Sequence, residues 1–281
     1  MPRAHLAAIV AALVGTITPA SAQYGDLAPG GALTWSLAGV HVEVSVTFAM
    51  APTFTQGRVP RGFQPFTLRE VAAGGDTAAR ATLAAHPDFA SHVVATLNVA
   101  RLDSMVVEGD TAAVRPLTVA FWWVPVQLAD SSAALPDARA RPGGQLVELG
   151  LWSADARFGR RLGAVMSTAV AAPLTVTWDG AGRWRIRLMI PDGNIVGSCR
   201  PIGTATAMEY RLPAYSTVWA ADSTARAFSV FTYYGHRAQR CRGFWRATGD
   251  AALAQALRTG AILGVDNQIG WRARAAAYAP R

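Results

Sequence analysis

LTVTWDGAGRWRIRLMIPDGNIVGSC, Leu174 to Cys199, is the stretch whose reading decides the fold class. Two turn signals, Asp179-Gly180-Ala181-Gly182 and Pro191-Asp192-Gly193-Asn194, bracket a segment in which Trp184, Ile186, Leu188 and Ile190 alternate with Arg183, Arg185, Arg187 and Met189. A period of two between Asp-Gly turns predicts three consecutive antiparallel strands. The middle strand has an apolar face for a core and a guanidinium face for water or a ligand.

Outward from this meander the same alternation recurs. Val40, Val42, Val44, Val46 and Phe48 alternate with His41, Glu43, Ser45 and Thr47, which predicts a strand over 40–48. Further strands are predicted at 66–71, 92–102, 117–128, 146–152, 228–234, 244–247 and 270–278. Asp76 is placed to cap a helix over 77–85 that His86-Pro87 ends. Asp250 similarly opens a helix over 251–258 closed by Gly260, and 155–170 reads as a helix interrupted by Gly159 and Gly163. The expected class is α+β and β-dominated, a strongly curved antiparallel sheet or barrel with two or three short helices.

The chain begins with Arg3 and His5, then an apolar run from Leu6 to Val14, then Pro19-Ala20-Ser21-Ala22-Gln23. This is the pattern of a secretory signal cut between Ala22 and Gln23, so residues 1–22 are set aside and the protein is expected to be exported, periplasmic or secreted. No later stretch has the apolar length of a membrane helix. Residues 23–281, 259 in all (281 minus 22), carry no linker or charge run and read as one β-rich domain.

All twenty-six basic residues are arginine, which excludes a lysine Schiff base. The net charge of +8 becomes +7 when Arg3 leaves, a charge that permits binding to acidic surfaces. The arginines are spread through strands and loops, and nucleic acid is not an expected partner of an exported protein. Cys199 and Cys241 are expected to form one disulfide, worth roughly 3–4 kcal/mol by loop entropy. Neither cysteine has a second ligand at metal-binding spacing, and no metal or other cofactor is implied. There is no G-x-S-x-G, H-E-x-x-H, P-loop or G-x-G-x-x-G.

The order of parts resembles the acetoacetate decarboxylase-like superfamily. The resemblance rests on Val59-Pro60-Arg61-Gly62-Phe63-Gln64-Pro65, on the segment from Glu148 to Ala172 around Phe158-Gly159-Arg160-Arg161, and on the hairpin holding Pro191-Asp192-Gly193. It implies a curved β-cone or barrel around a small, largely apolar cavity. The family's imine-forming lysine has no counterpart, because Arg160 and Arg161 stand in the nearest stretch and a guanidinium stays protonated. Imine decarboxylation is excluded by residue type, and function belongs to the site and not to the fold.

Two groups of residues are candidate sites. His236, Arg237, Arg240, Arg242 and Arg246 lie beside Tyr233, Tyr234, Phe244 and Trp245. There Arg237 would grip a carboxylate with Tyr234 against the apolar body, and His236 would move a proton. Arg160 and Arg161 with Glu148 and Trp152 form the second group, in which Glu148 would act as a proton shuttle if it faces a cavity. For both, an ordinary wet strand or helix surface is the competing reading. His41 and Glu43 share a strand face and form a possible acid/base pair, although such a pair more often marks the exposed side of an edge strand.

The expected function is therefore an exported protein that binds a small, mainly apolar carboxylate or carbonyl compound. If it is an enzyme, it is a lysine-independent lyase, isomerase or hydrolase. The alternative is a non-catalytic envelope or protein-interaction domain with a filled barrel.

Overall fold

The computed structural model describes residues 33–59, 62–107, 110–114, 117–129, 145–156, 169–208, 214–219, 225–234, 236–269 and 272–278. In chain order these form β1 (Leu33–Met50), β2 (Phe63–Pro65), α1 (Leu68–Ala73), α2 (Thr77–Ala85), β3 (Val93–Val107), β4 (Asp110–Val114), β5 (Leu117–Leu128) and β6 (Gln145–Ser153). There follow β7 (Ala169–Ala171), β8 (Leu174–Asp179), β9 (Arg183–Ile190), β10 (Gly193–Pro201), β11 (Thr206–Met208), β12 (Ala214–Trp219) and β13 (Ala225–Tyr234). The chain ends with β14 (His236–Arg242), β15 (Trp245–Gly249), α3 (Ala252–Thr259), β16 (Ala261–Ile269) and β17 (Arg272–Tyr278).

The meander forms as its alternation dictates. Trp184, Ile186, Leu188 and Ile190 of β9 are buried while Arg185, Arg187 and Met189 are exposed. The Asp192-Gly193 turn is tight enough to put Asp192 at φ 57°, a left-handed conformation that Asp tolerates better than most side chains. Asp179 caps the other turn by accepting from the amides of Ala181 and Arg183.

Followed from neighbour to neighbour, β8-β9-β10-β14-β16-β1-β3-β5-β6 is one strongly curled run, a half-barrel. One face of it holds the main apolar core, where Val42, Val44, Val46 and Phe48 of β1 meet Leu97 and Val99 of β3, Trp122 and Val124 of β5, and Ile186, Leu188 and Ile195 of the meander. β15 and the amphipathic α3 complete this layer through Trp245, Leu253 and Leu257. The Cys199–Cys241 disulfide forms, with the two Cα atoms 5.1 Å apart, and joins β10 to β14.

The other face of β1, β3, β5 and β6 belongs to a second circuit. β17 pairs with β1, β13 with β17, β12 with β13, and β12 runs parallel to β6, which returns through β5 and β3 to β1. The sheet is mixed, because β6 and β7 are also parallel. A seven-stranded circuit has a bore wide enough only for side chains or a small ligand. The core layer of β8–β10, β15 and α3 is too large for it, so the circuit encloses the face opposite the apolar core. On that same face α1 and α2 cover the end of β1, packing Leu68, Val71 and Ala79 on Ala49, Val94 and Leu263.

Three local expectations are corrected. Residues 68–73 are helix and not the strand expected over 66–71, because Thr67 and Glu70 make a reciprocal capping box that satisfies the first-turn amides. α3 starts after Ala251 with no side-chain cap, so Asp250 does not cap it. Residues 169–171 are strand, ending the helix expected over 155–170 before that point; 157–168 lie outside the described residues. Among the described residues no helix is long and apolar enough to cross a membrane.

Candidate functional site

β1 presents Glu43, Ser45 and Thr47 to the face opposite the apolar core, and the register carries polar groups across it in rows. Thr47 stands opposite Thr96, Thr96 opposite Trp123, and Trp123 opposite Glu148 on β6. The next row runs from Arg240 through Asp266 and Ser45 to Asn98 and Phe121. Glu43 lies between Gln268 and Ala100 in the row beyond. Glu43 and Glu148 are only 6% and 7% exposed, and Ser45 and Thr96 are buried with them.

Asn98 organises this face. Its amide nitrogen donates to Glu43 Oε1 and, at 3.0 Å, to Ser45 Oγ. Its carbonyl oxygen accepts from the Trp123 indole Nε1 at 2.6 Å. Ser45 Oγ in turn donates to Glu43 Oε1 at 3.3 Å and accepts from Gln268 Nε2 at 3.2 Å. Burial raises the Glu43 carboxyl from an ordinary 4.5 to about 7, with the donors on Asn98 and Ser45 opposing the rise. Such a group is half protonated near neutrality. It can accept as a carboxylate or donate as an acid, the condition for moving a proton at that pH.

A cation stands at the end of the second row. Arg240, half-exposed, is 3.8 Å from Asp266, whose carboxyl is raised by burial against the lowering influence of that guanidinium.

The residues singled out from sequence are distributed unevenly over this arrangement. Glu148 is buried on the polar face, opposite Trp123. Trp152 is on the other face, in the apolar core, because the ladder slips at Leu149 between the pairs Trp122–Gly150 and Trp123–Glu148 and reverses the alternation. Arg237 is exposed on β14. Tyr234 and His236 are placed by backbone, opposite Arg272 and Met208; their side chains, like the whole of Arg160 and Arg161, lie outside the described residues.

Glu43 itself is a correction to the weightier reading of its strand. β1 is flanked by β3 on one side and by β16 and β17 on the other, so it is central, and Glu43 is buried instead of lining an exposed edge. His41 sits where the β1–β3 ladder slips between Val40 and Val42. Asn98, Ser45 and Trp123 were visible in sequence only as members of strand patterns, and Gln268 lay in no predicted element.

No protein-family model matches the chain, and no curated protein matches its sequence. Solved structures do match. The acetoacetate decarboxylase of Legionella pneumophila aligns with a TM-score of 0.54 at 9% identity, over 90% of this chain and 91% of that one. An acetoacetate decarboxylase-like enzyme from Sphingomonas wittichii RW1 aligns with a TM-score of 0.56 at 10% identity, over 95% and 98%. The enduracididine biosynthesis enzyme MppR complexed with pyruvate aligns with a TM-score of 0.55 at 12% identity, over 92% and 93%. At such identities the likeness is one of fold, which agrees with the family resemblance of the sequence motifs: this chain has the acetoacetate decarboxylase-like fold, carried by a sequence without a single lysine.

Proposed function

We propose that this is an exported protein that holds a small, mainly apolar carboxylate or carbonyl compound within the second circuit, against Glu43, and that Glu43 exchanges a proton with it. The observation carrying this reading is the buried Glu43 carboxyl at about 7, held by Asn98 and Ser45 on the face away from the apolar core. A protonated carboxyl donates to a carbonyl or carboxylate oxygen, and the ionised form accepts a proton from a carbon beside it. Trp123 and Phe121 supply apolar surface in adjacent rows, and Arg240 supplies positive charge at their end. Glu148, opposite Trp123, is a second carboxyl for the same face, and His236 with Arg237 and Tyr234 belongs to the proposal as the group on the neighbouring strands.

The chemistry is independent of an imine, since the chain has no lysine. The reaction classes compatible with it are those of a lyase, isomerase or hydrolase. MppR is described with pyruvate bound, which supports a keto acid as a first probe for this fold. Export is supported by the signal-like start of the chain and by a disulfide suited to an oxidising compartment.

The test is native mass spectrometry of protein purified from an exporting host, before and after incubation with a panel of keto acids and fatty acids, on wild type and Glu43→Gln. The expected result is a chain beginning at Gln23, a small molecule retained by the wild type only in the native state, and weakened retention in Glu43→Gln. A bare mass under every condition would replace this reading with that of a filled-barrel interaction domain.

A further inference from the structure

The face of β9, β10 and β15 turned away from the apolar core carries an uncompensated arginine surface. Val196 of β10 stands between Arg187 of β9 and Arg246 of β15, so the two guanidinium groups leave one row of three strands. Along the same face of β10 the alternation reaches Arg200, which stands directly opposite Arg242 of β14. All four are exposed, and among the described residues none has a carboxylate within ion-pair distance. The nearby Asp179 is already engaged, accepting from Arg183 at 3.1 Å and Arg185 at 2.7 Å.

Like charges directly opposed across a ladder are unfavourable without a counter-anion. Arg200 and Arg242 are nevertheless held opposite each other, and the disulfide between their immediate neighbours, Cys199 and Cys241, ties the two strands together at that point. Planar guanidinium groups pair bidentately with phosphate oxygens, the geometry that would relieve this repulsion.

Apolar groups are interleaved with the charge. Met189 follows Arg187 on the same strand face and is 41% exposed. Phe244 is 44% exposed and lies beneath Arg246, whose guanidinium carbon is 5.7 Å from the ring centre. A soluble polyanion does not require these apolar groups, whereas the headgroup region of a bilayer accommodates arginine, aromatic and methionine side chains together.

We propose that this arginine face docks on the surface of an anionic phospholipid bilayer, with phosphates on Arg187, Arg246 and the Arg200–Arg242 pair and with Phe244 and Met189 entering the headgroup layer. The readout of this proposal uses no small ligand, so its failure and the failure of the ligand site are distinguishable.

The experiment is co-sedimentation of the full chain, disulfide intact, with vesicles of phosphatidylcholine alone and with vesicles containing about a third phosphatidylglycerol, at low salt and at about 0.5 M salt. Binding is expected only to the anionic vesicles, and it should weaken steeply with salt. Arg200→Gln/Arg242→Gln should lose about 25-fold in partitioning, at roughly fivefold for each arginine removed. Arg187→Gln/Arg246→Gln should lose a similar factor, and Phe244→Ser/Met189→Ser should weaken binding at high salt with near-ultraviolet circular dichroism unchanged. No binding to anionic vesicles overturns the proposal. Vesicle binding that survives both arginine replacements also overturns it. Binding to inorganic polyphosphate in solution, with vesicle binding indifferent to Phe244 and Met189, assigns the face to a soluble polyanion and overturns the bilayer.

Discussion

Asn98 stands opposite Ser45 in the β1–β3 ladder, and its side-chain amide reaches diagonally to the carboxylate of Glu43. Diagonal partners in an antiparallel pair are within reach of long polar side chains, so the contact follows from register and needs no distortion of either strand. One residue thereby ties a buried acid on β1 to an indole on β5. Asn98 uses both ends of its amide in doing so, donating to one and accepting from the other.

Stability should carry the mark of Glu43. An acid whose folded value is about 7 keeps its proton in the folded state while the unfolded chain loses it from about pH 4.5 upward. The unfolded state then binds fewer protons, so stability falls as pH rises between those values and levels off above about 7. Relative to Glu43→Gln, the wild type should lose about 3 kcal/mol across that window, an order-of-magnitude figure from the 1.36 kcal/mol that accompanies each tenfold change. Urea unfolding of both proteins from pH 4 to 8 measures it, and parallel curves would refute the assignment.

Asn98→Leu should push the Glu43 carboxyl higher still, because a donor that opposes the rise is removed. It also leaves the Trp123 indole nitrogen without its partner, at a cost of about 2–4 kcal/mol with the carboxylate contact included. Carbon-13 titration of the Glu43 carboxyl reads the first effect. A midpoint unmoved by the substitution would mean that Asn98 does not hold the acid.

The Cys199–Cys241 crosslink spans 42 residues. The loop-entropy relation gives about 4 kcal/mol for that length. Cys199→Ser/Cys241→Ser should lose this amount in denaturant melts, and a reductant should have no further effect on the double variant. A loss below about 1 kcal/mol would show that strand pairing alone holds β10 to β14.

Gly243 is a site of close backbone approach. A Cβ there would meet the Ser198 carbonyl oxygen at 1.7 Å, where β10 passes the start of β15. Gly243→Ala should cost about 3 kcal/mol or more by forcing the strands apart. Gly180→Ala is the control, having open space and no left-handed requirement, and should stay within about 0.5 kcal/mol of wild type in thermal melts. Equal effects at both positions would contradict the packing.

Much of the β structure was legible because alternation and turn chemistry are local. The meander, the strand within β1, β3 and β5 all stand where their patterns placed them. The Thr67–Glu70 capping box was also present in the sequence, and apolar density around Phe66 and Leu68 drew that segment toward strand instead. β16 escaped because Asp266, Asn267 and Gln268 break its apolar rhythm; Asp266 and Gln268 stand opposite Ser45 and Glu43 on the polar face, while Asn267 is buried opposite Val44.

The sequence by itself determined that the chain is β-dominated, that it has one disulfide pair, that imine chemistry is closed to it and which strand face each residue of β1 and β9 would share. Side-chain alternation, cysteine number and the absence of lysine are properties of the chain before it folds. Only the tertiary structure decided that the polar face of β1 is buried. Glu43 is flanked by Gln268 of β16, more than two hundred residues away in sequence, and by Ala100 of β3, and desolvation by burial among such distant strands is what moves its carboxyl toward neutrality. The same holds for Glu148 and Trp152, which alternation alone would put together and which a one-residue slip at Leu149 sends to opposite faces.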